Sequence, residues 1–323
     1  MASSMNRLLD QVFGHKEVIS KLLATFTGER PGQTFLFVGP HGVGKKKVAL
    51  GFAQALLCDT LRTACGVCGS CRRVAAGTHE SLKIIASEGP QIKIEESREV
   101  IQFLNLQGIT QRRVVVIDQV QTLNLQAANS LLKTLEEPPP ETYFFLIAPS
   151  VAGVLSTIRS RSRVVSFHPL AAEEIARGAG SAPTWTIRAS QGSFEKLARL
   201  QEGPEQELRR EALSLLQQFL EDKEFLTADN WRDSFKERVK SQRILSYWIS
   251  FLRDVLYFQE DQKNSIMNVD QVDFLKSMSE RSRNQILELI EKALTVEKEI
   301  FQNRDVQLLM EEFWILQNRG GEV

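Results

Sequence analysis

Five short apolar runs, at residues 35–38, 82–85, 114–117, 144–148 and 164–167, alternate with stretches of helical period over the first half of the chain. Each run is too short for a core helix and is bounded by turn or charged residues, so each reads as a strand. None alternates cleanly between apolar and polar positions, which is the pattern of strands covered on both faces. The α/β alternation predicts a five-stranded, mostly parallel sheet layered with helices. Between the third and fourth runs, Asn124 is suited to cap a helix bearing Leu125, Ala128, Leu131, Leu132 and Leu135. Pro138, Pro139 and Pro140 stop it.

Beyond Pro169 the strand signal fades into short helical pieces broken by Gly and Pro, as far as Gly203-Pro204. From residue 205 the period is helical throughout. Leu245, Trp248, Ile249, Leu252, Val255 and Leu256 share one stripe, and Ile286, Leu289, Ile290, Ala293 and Leu294 share another. Such stripes are the core positions of a helical bundle. The expected organisation is an α/β domain at 1–168, a small helical domain at 169–204 and an all-α domain at 205–323. A length of 323 residues accommodates two or three domains.

Charge adds an exclusion. Forty basic residues balance forty acidic ones, so no global excess draws the chain to nucleic acid or to an acidic membrane. No stretch approaches the ~20 apolar residues of a membrane span, and residues 1–10 lack the apolar segment of a secretion signal. A cytoplasmic protein without membrane contact is the expectation.

Directly after the first strand stands Gly39-Pro40-His41-Gly42-Val43-Gly44-Lys45-Lys46, one residue short of the phosphate-loop pattern G-x-x-x-x-G-K-[ST]. In that pattern glycines let backbone N–H groups turn inward around a phosphate, at a helix N-terminus that adds positive dipole. Lys45 supplies the ammonium for the terminal phosphates. The last position normally gives a hydroxyl to Mg²⁺, and Lys46 has no lone pair to give. Pointing inward, Lys46 would repel the metal by several kcal/mol, so the expected orientation is towards solvent, which leaves the metal one ligand short. The alternative reading of Gly39, Gly42 and Gly44 is a turn kept for packing.

The third strand ends in Asp118, where phosphate-loop ATPases hold Mg²⁺ through the Walker-B aspartate. A cap or turn residue at a strand end is the other reading. Gln119 follows, and an amide orients water but does not accept its proton. Both departures fall on one reaction centre and argue against turnover.

All four cysteines fall in one C-x₆-C-x₂-C-x₂-C cluster: Cys58, Cys65, Cys68 and Cys71. Four thiolates complete a tetrahedral Zn²⁺ and leave no open position, the mark of a structural site. An iron–sulfur cluster and free thiols are the chemical alternatives. Arg72 and Arg73 beside it are too few to argue for nucleic-acid binding and read as a solvated face.

The string Leu131-Leu132-Lys133-Thr134-Leu135-Glu136-Glu137-Pro138-Pro139 resembles the signature helix end of bacterial clamp-loader AAA+ subunits. Ile158-Arg159-Ser160-Arg161-Ser162 is similar to that family's Ser-Arg-Cys motif, with Ser162 in place of the cysteine. Val12-Phe13-Gly14-His15 and Phe35 to Pro40 share the family's spacing, so the resemblance is strong over about residues 6 to 170. The cysteine spacing resembles the zinc module that the family inserts after its phosphate-loop helix.

This resemblance implies a RecA-like AAA+ domain, a small helical lid and a helical collar through which five subunits form a ring. It implies delta and gamma/tau subunits, the sliding clamp and, through the assembled complex, primed DNA as partners. Arg161 becomes a candidate arginine finger acting in trans on a neighbour's nucleotide. Sensor 1 aligns with Ala148, with Ser150 as a substitute if the register slips, and Glu195 falls near the sensor-2 arginine. Altered motor positions beside a kept Arg161 look like a non-hydrolysing, stator-like subunit, with structural Zn²⁺ and at most weak ATP or ADP with Mg²⁺. The competing assignment is an ATP-hydrolysing motor of the gamma/tau type.

Overall fold

Gln33–Val38 (β1) is buried from its second residue onward, as a strand covered on both faces must be. The computed structural model describes residues 7–25, 33–61, 63–86, 89–105, 112–221, 225–227, 230–302 and 304–319. Among them β1 joins Leu82–Ile85 (β2), Arg113–Ile117 (β3), Thr142–Ala148 (β4) and Arg163–Ser166 (β5) in one parallel sheet. The order is β2-β3-β4-β1-β5. The chain crosses from β1 to β2 at one edge of the sheet and later returns past β1 to β5 at the other, and the loop leaving β1 opens at the carboxyl edge, where such folds hold ligands. The five expected strands are all present, with β1, β3 and β4 starting one or two residues earlier and β5 shifted by one.

Successive β1 residues serve opposite cores. Phe35 and Phe37 meet Leu22 of Lys16–Thr25 (α1) and Val48 and Phe52 of Lys45–Leu56 (α2). Leu36 and Val38 face the other side, with Val100 and Leu104 of Ile94–Asn105 (α4) and Leu131 and Leu135 of Leu125–Glu136 (α5). The short Gly69–Ala75 (α3) follows α2 and carries the end of the cysteine cluster. Asn124 caps α5 as expected, its Oδ1 accepting the Ala127 amide at 2.8 Å. Leu125, expected on the buried stripe, is exposed instead. As the first residue after the cap it precedes the turn that meets the sheet, and burial begins at Ala127.

Ser156–Arg159 (α6) links β4 to β5, and Ala172–Gly178 (α7) follows. The chain divides into two compact units, Met1–Gly180 with Gln191–Glu195, and Ser181–Ser190 with Lys196–Val323. In the second unit run Thr184–Ala189 (α8), most of Phe194–Gln201 (α9), Gly203–Glu221 (α10) and Asn230–Ser234 (α11). They are followed by Arg238–Gln259 (α12), Val272–Met278 (α13), Arg283–Phe301 (α14) and Val306–Arg319 (α15).

The core of the second unit is aromatic: Phe219, Trp231, Phe235, Trp248 and Phe251 are buried, and Trp248 satisfies its indole N–H on the Ala212 carbonyl at 2.7 Å. Of the two expected stripes, Leu245, Trp248, Leu252, Val255, Ile286, Leu289 and Ala293 are buried, while Leu294 is exposed. No helix among the described residues is long and apolar enough to cross a membrane.

Candidate nucleotide and metal sites

Gly39 leaves β1 with φ at 152° and its amide on the Ala148 carbonyl. A side chain there would collide with the Phe167 carbonyl at the end of β5, so the loop turns inside the sheet edge. Gly42 has φ at 72°, and a methyl group on it would strike Ser193 and Glu195. Its carbonyl accepts the Phe194 amide at 3.0 Å, which ties the loop to the Gly192–Glu195 turn. Gly44 then caps α2 in a left-handed conformation. The three glycines therefore support both the cradle and the packing readings: the first two are packed against neighbours, and the last is open around its Cα.

Lys45 is buried and folds back on its own loop, donating to the carbonyls of Gly39 at 2.5 Å and Pro40 at 2.6 Å. Burial lowers its pKa, and the charges of Asp118 and Glu195 work in the opposite direction. Contrary to the expected solvent orientation, Lys46 points inward, where the Asp118 carboxylate offsets its charge. Its Nζ lies 3.2 Å from Asp118 Oδ2, with about half of the side chain still exposed. Asp118 is anchored by its own amide, which donates to the Ile85 carbonyl at 2.8 Å, and Gln119 follows with φ at 57°.

Gly42, Gly44, Lys45, Lys46, Asp118 and Gln119 line a cavity of about 470 Å³ together with His41, Lys47, Ala148, Pro149 and Glu195, whereas Gly39 is not in that lining. Ser150 is exposed and absent from that lining, whereas Ala148, where the resemblance puts sensor 1, lines the cavity without a polar side chain. His15, on the sequence side only a spacing marker, shares a hydrogen bond with the Val43 carbonyl at 2.9 Å. Burial lowers its pKa, so it buttresses the loop as a largely neutral ring.

Mg²⁺ fits this arrangement poorly. One expected oxygen ligand is missing, and the carboxylate that would share the metal is already paired with an ammonium. A phosphate chain fits better, since buried Lys45, the loop amides and the α2 N-terminus remain around the cavity.

Arg161 is not among the residues lining that cavity. It follows α6, whose last turn supplies the Thr157 carbonyl to Nη1 at 3.1 Å. Its Nε and Nη2 reach Glu136 Oε2 at 3.1 and 2.8 Å. Glu136 is the last residue of α5 and part of the Leu131–Pro139 string, yet nothing in the local sequence marks it as the arginine's partner. Ser162 caps the turn by donating to the Ile158 carbonyl at 2.7 Å.

The four cysteines converge. Their Sγ atoms lie within 4.8 Å of one another, with Cys58–Cys68 and Cys65–Cys71 both at 3.9 Å. Tetrahedral Zn²⁺ with Zn–S bonds of about 2.3 Å needs sulfurs about 3.8 Å apart, so the cluster is close to metal-ready. Backbone amides aim at the sulfurs: Cys65 N to Cys58 Sγ, Cys68 N to Cys65 Sγ and Cys71 N to Cys68 Sγ, each at 3.3 Å.

Hydrogen bonds from Thr60, then from the Val67 and Cys68 amides, bring the Cys65 thiol down to about 5, whereas burial pushes Cys71 up. A cation that displaces the thiol protons would let the sulfurs ligate together as thiolates. His79 lies outside this group of ligand atoms, and its Nδ1 accepts the Ser81 amide at 3.0 Å.

Comparison with known proteins places these features in a family. A family model described as "DNA polymerase III, delta subunit" matches residues 14–171, and one described as "DNA polymerase III, delta subunit, C terminal" matches residues 203–318. A DNA polymerase III subunit delta' of Bacillus subtilis is 26% identical over 94% of this chain and 96% of its own length. The corresponding subunit of Pseudomonas aeruginosa is 34% identical over 48% of this chain and 47% of its own. A DNA polymerase III subunit tau of Escherichia coli is 34% identical over 51% of this chain and 26% of its own.

Proposed function

Since the chain belongs to the family of bacterial DNA polymerase III delta' subunits, we propose that it is a clamp-loader subunit that does not itself hydrolyse ATP. The observation that carries this reading is the Lys46–Asp118 ion pair, in which the two positions that should share Mg²⁺ hold each other instead. Gln119 removes the general base, and Ala148 and Glu195 remove the sensors. ATP or ADP with Mg²⁺ is then held weakly at Gly39, Gly42, Gly44, Lys45, Lys46 and Asp118.

In this reading Arg161 serves as an arginine finger for the nucleotide of an adjacent subunit, worth roughly 10³ or more in rate in phosphoryl transfer generally. Its absence from the lining of the chain's own phosphate cavity supports that assignment. The other subunits of the loader are its partners. The proposed assembly is a five-membered ring closed through a collar at residues 205–323, with residues 169–204 as a lid, acting on the sliding clamp and primed DNA. The cysteines hold structural Zn²⁺.

The test has two parts. The pure chain should show no ATP turnover, and a rate near ~1 s⁻¹, ordinary for an enzyme, would sink the reading. In a reconstituted loader Arg161→Ala should abolish most clamp-stimulated ATPase; an unchanged rate would remove the finger.

A further inference from the structure

Lys46 stands where the phosphate-loop motif puts a metal-ligating hydroxyl, and its partner Asp118 is the acid that ordinarily faces the same metal. An ammonium supplies N–H donors and one positive charge but no lone pair. A Mg²⁺ ion brought to Asp118 would have to displace that ammonium or sit beside it with like charges a few ångströms apart. With only one N–H direction needed for Asp118, the same ammonium keeps donors for a second anionic oxygen.

The charges around the cavity support this substitution. Lys45 and Lys46 are positive, and Asp118 and Glu195 are negative, so these four groups balance without a metal. Lys47 also lines the cavity and leaves the remainder positive. A volume of about 470 Å³ suits a small polyanionic ligand. The glycine turn and the α2 N-terminus stay available to phosphate oxygens.

We propose that this loop binds a nucleoside polyphosphate without its metal, the Lys46 ammonium taking the place of Mg²⁺ between Asp118 and the phosphates. Added Mg²⁺ then competes in two ways: it sequesters the free nucleotide in solution and is repelled by Lys46 at the site. The inference concerns this chain alone and stands whether or not Arg161 serves a neighbour.

Titration calorimetry on the full chain with ADP and ATP tests it. Buffers should be freed of divalent cations by resin, because a chelator would strip the cysteine cluster. Saturation is expected in the metal-free buffer, with affinity about tenfold weaker in excess Mg²⁺. Lys46→Thr should reverse that order, and Asp118→Asn, by freeing the ammonium, should tighten metal-free binding severalfold. Equal or tighter binding by the natural chain with Mg²⁺, or no binding at millimolar nucleotide in either buffer, overturns the proposal. If Lys46→Thr fails to fold, Asp118→Asn still decides, since a metal-using site would weaken on losing that carboxylate.

Discussion

Arg161 and Glu136 form a two-pronged ion pair in which Nε and Nη2 share one carboxylate oxygen, at 3.1 and 2.8 Å. The arginine's remaining nitrogen is tied to the Thr157 carbonyl, so its guanidinium is held in one orientation. In the proposed finger role, such pre-orientation would cut the side-chain ordering cost of the contact in trans.

Glu136→Gln should therefore lower the ATPase of a reconstituted loader severalfold. The stability of the isolated chain should change by less than ~1 kcal/mol, because more than half of the carboxylate side chain is exposed. Thermal melts paired with clamp-stimulated ATPase measure both; a large melt shift with unchanged ATPase would make Glu136 purely structural.

Gln119→Glu alone should leave the pure chain inactive, since a restored base has no metal-bound phosphate to act on while Lys46 pairs with Asp118. Only Lys46→Thr together with Gln119→Glu should give measurable turnover in Mg²⁺. Phosphate release assays on the single and double variants check the order, and activity in the Gln119→Glu single variant would refute it.

One zinc per chain is expected by elemental analysis of protein expressed without supplement. Cys71→Ser should abolish it and destabilise the α/β unit, as Cys71 is fully buried and packs with Ala55 and Ala64. Iron with visible absorbance in place of zinc would move the site to an iron–sulfur cluster.

Arg209→Ala should cost about 3 to 5 kcal/mol in urea unfolding. The guanidinium is buried, sits 3.8 Å from the Trp185 ring centre, and donates to both oxygens of Asp270 at 2.8 Å and to Asn268 at 3.0 Å. Burial alone would raise the Asp270 pKa, but the bonds from Arg209 and Gln271 prevail and hold it below the ordinary carboxylate range. A depressed folded pKa contributes stability that is complete above the unfolded value, about 4, and is lost as pH falls through the folded one. The wild-type advantage over the variant should shrink as pH falls below about 4, where Asp270 loses its charge.

Much of the chain can be read from local pattern. Strand runs such as Val114–Ile117 are legible because both faces are buried, and α5 because Asn124 opens it and a proline run closes it. Its first residue, Leu125, shows where pattern misleads: apolarity predicts a stripe, but the helix's angle to the sheet decides which turn reaches it. The cysteine cluster is legible for a different reason, as a metal fixes ligand number and hence spacing.

What the sequence by itself determined is therefore the inventory: five sheet strands, a phosphate loop with a lysine for a hydroxyl, four clustered thiols and an arginine after α6. Only the tertiary structure decided their partners. Lys46 meets Asp118 because β4 separates β1 from β3 and aligns their carboxyl ends on one edge. Arg161 meets Glu136 because α5 and α6 end beside each other, though 25 residues separate the pair in sequence. Helical and strand periods constrain neighbours a few residues apart, whereas an ion pair across elements depends on strand order and side-chain reach, which no local pattern encodes.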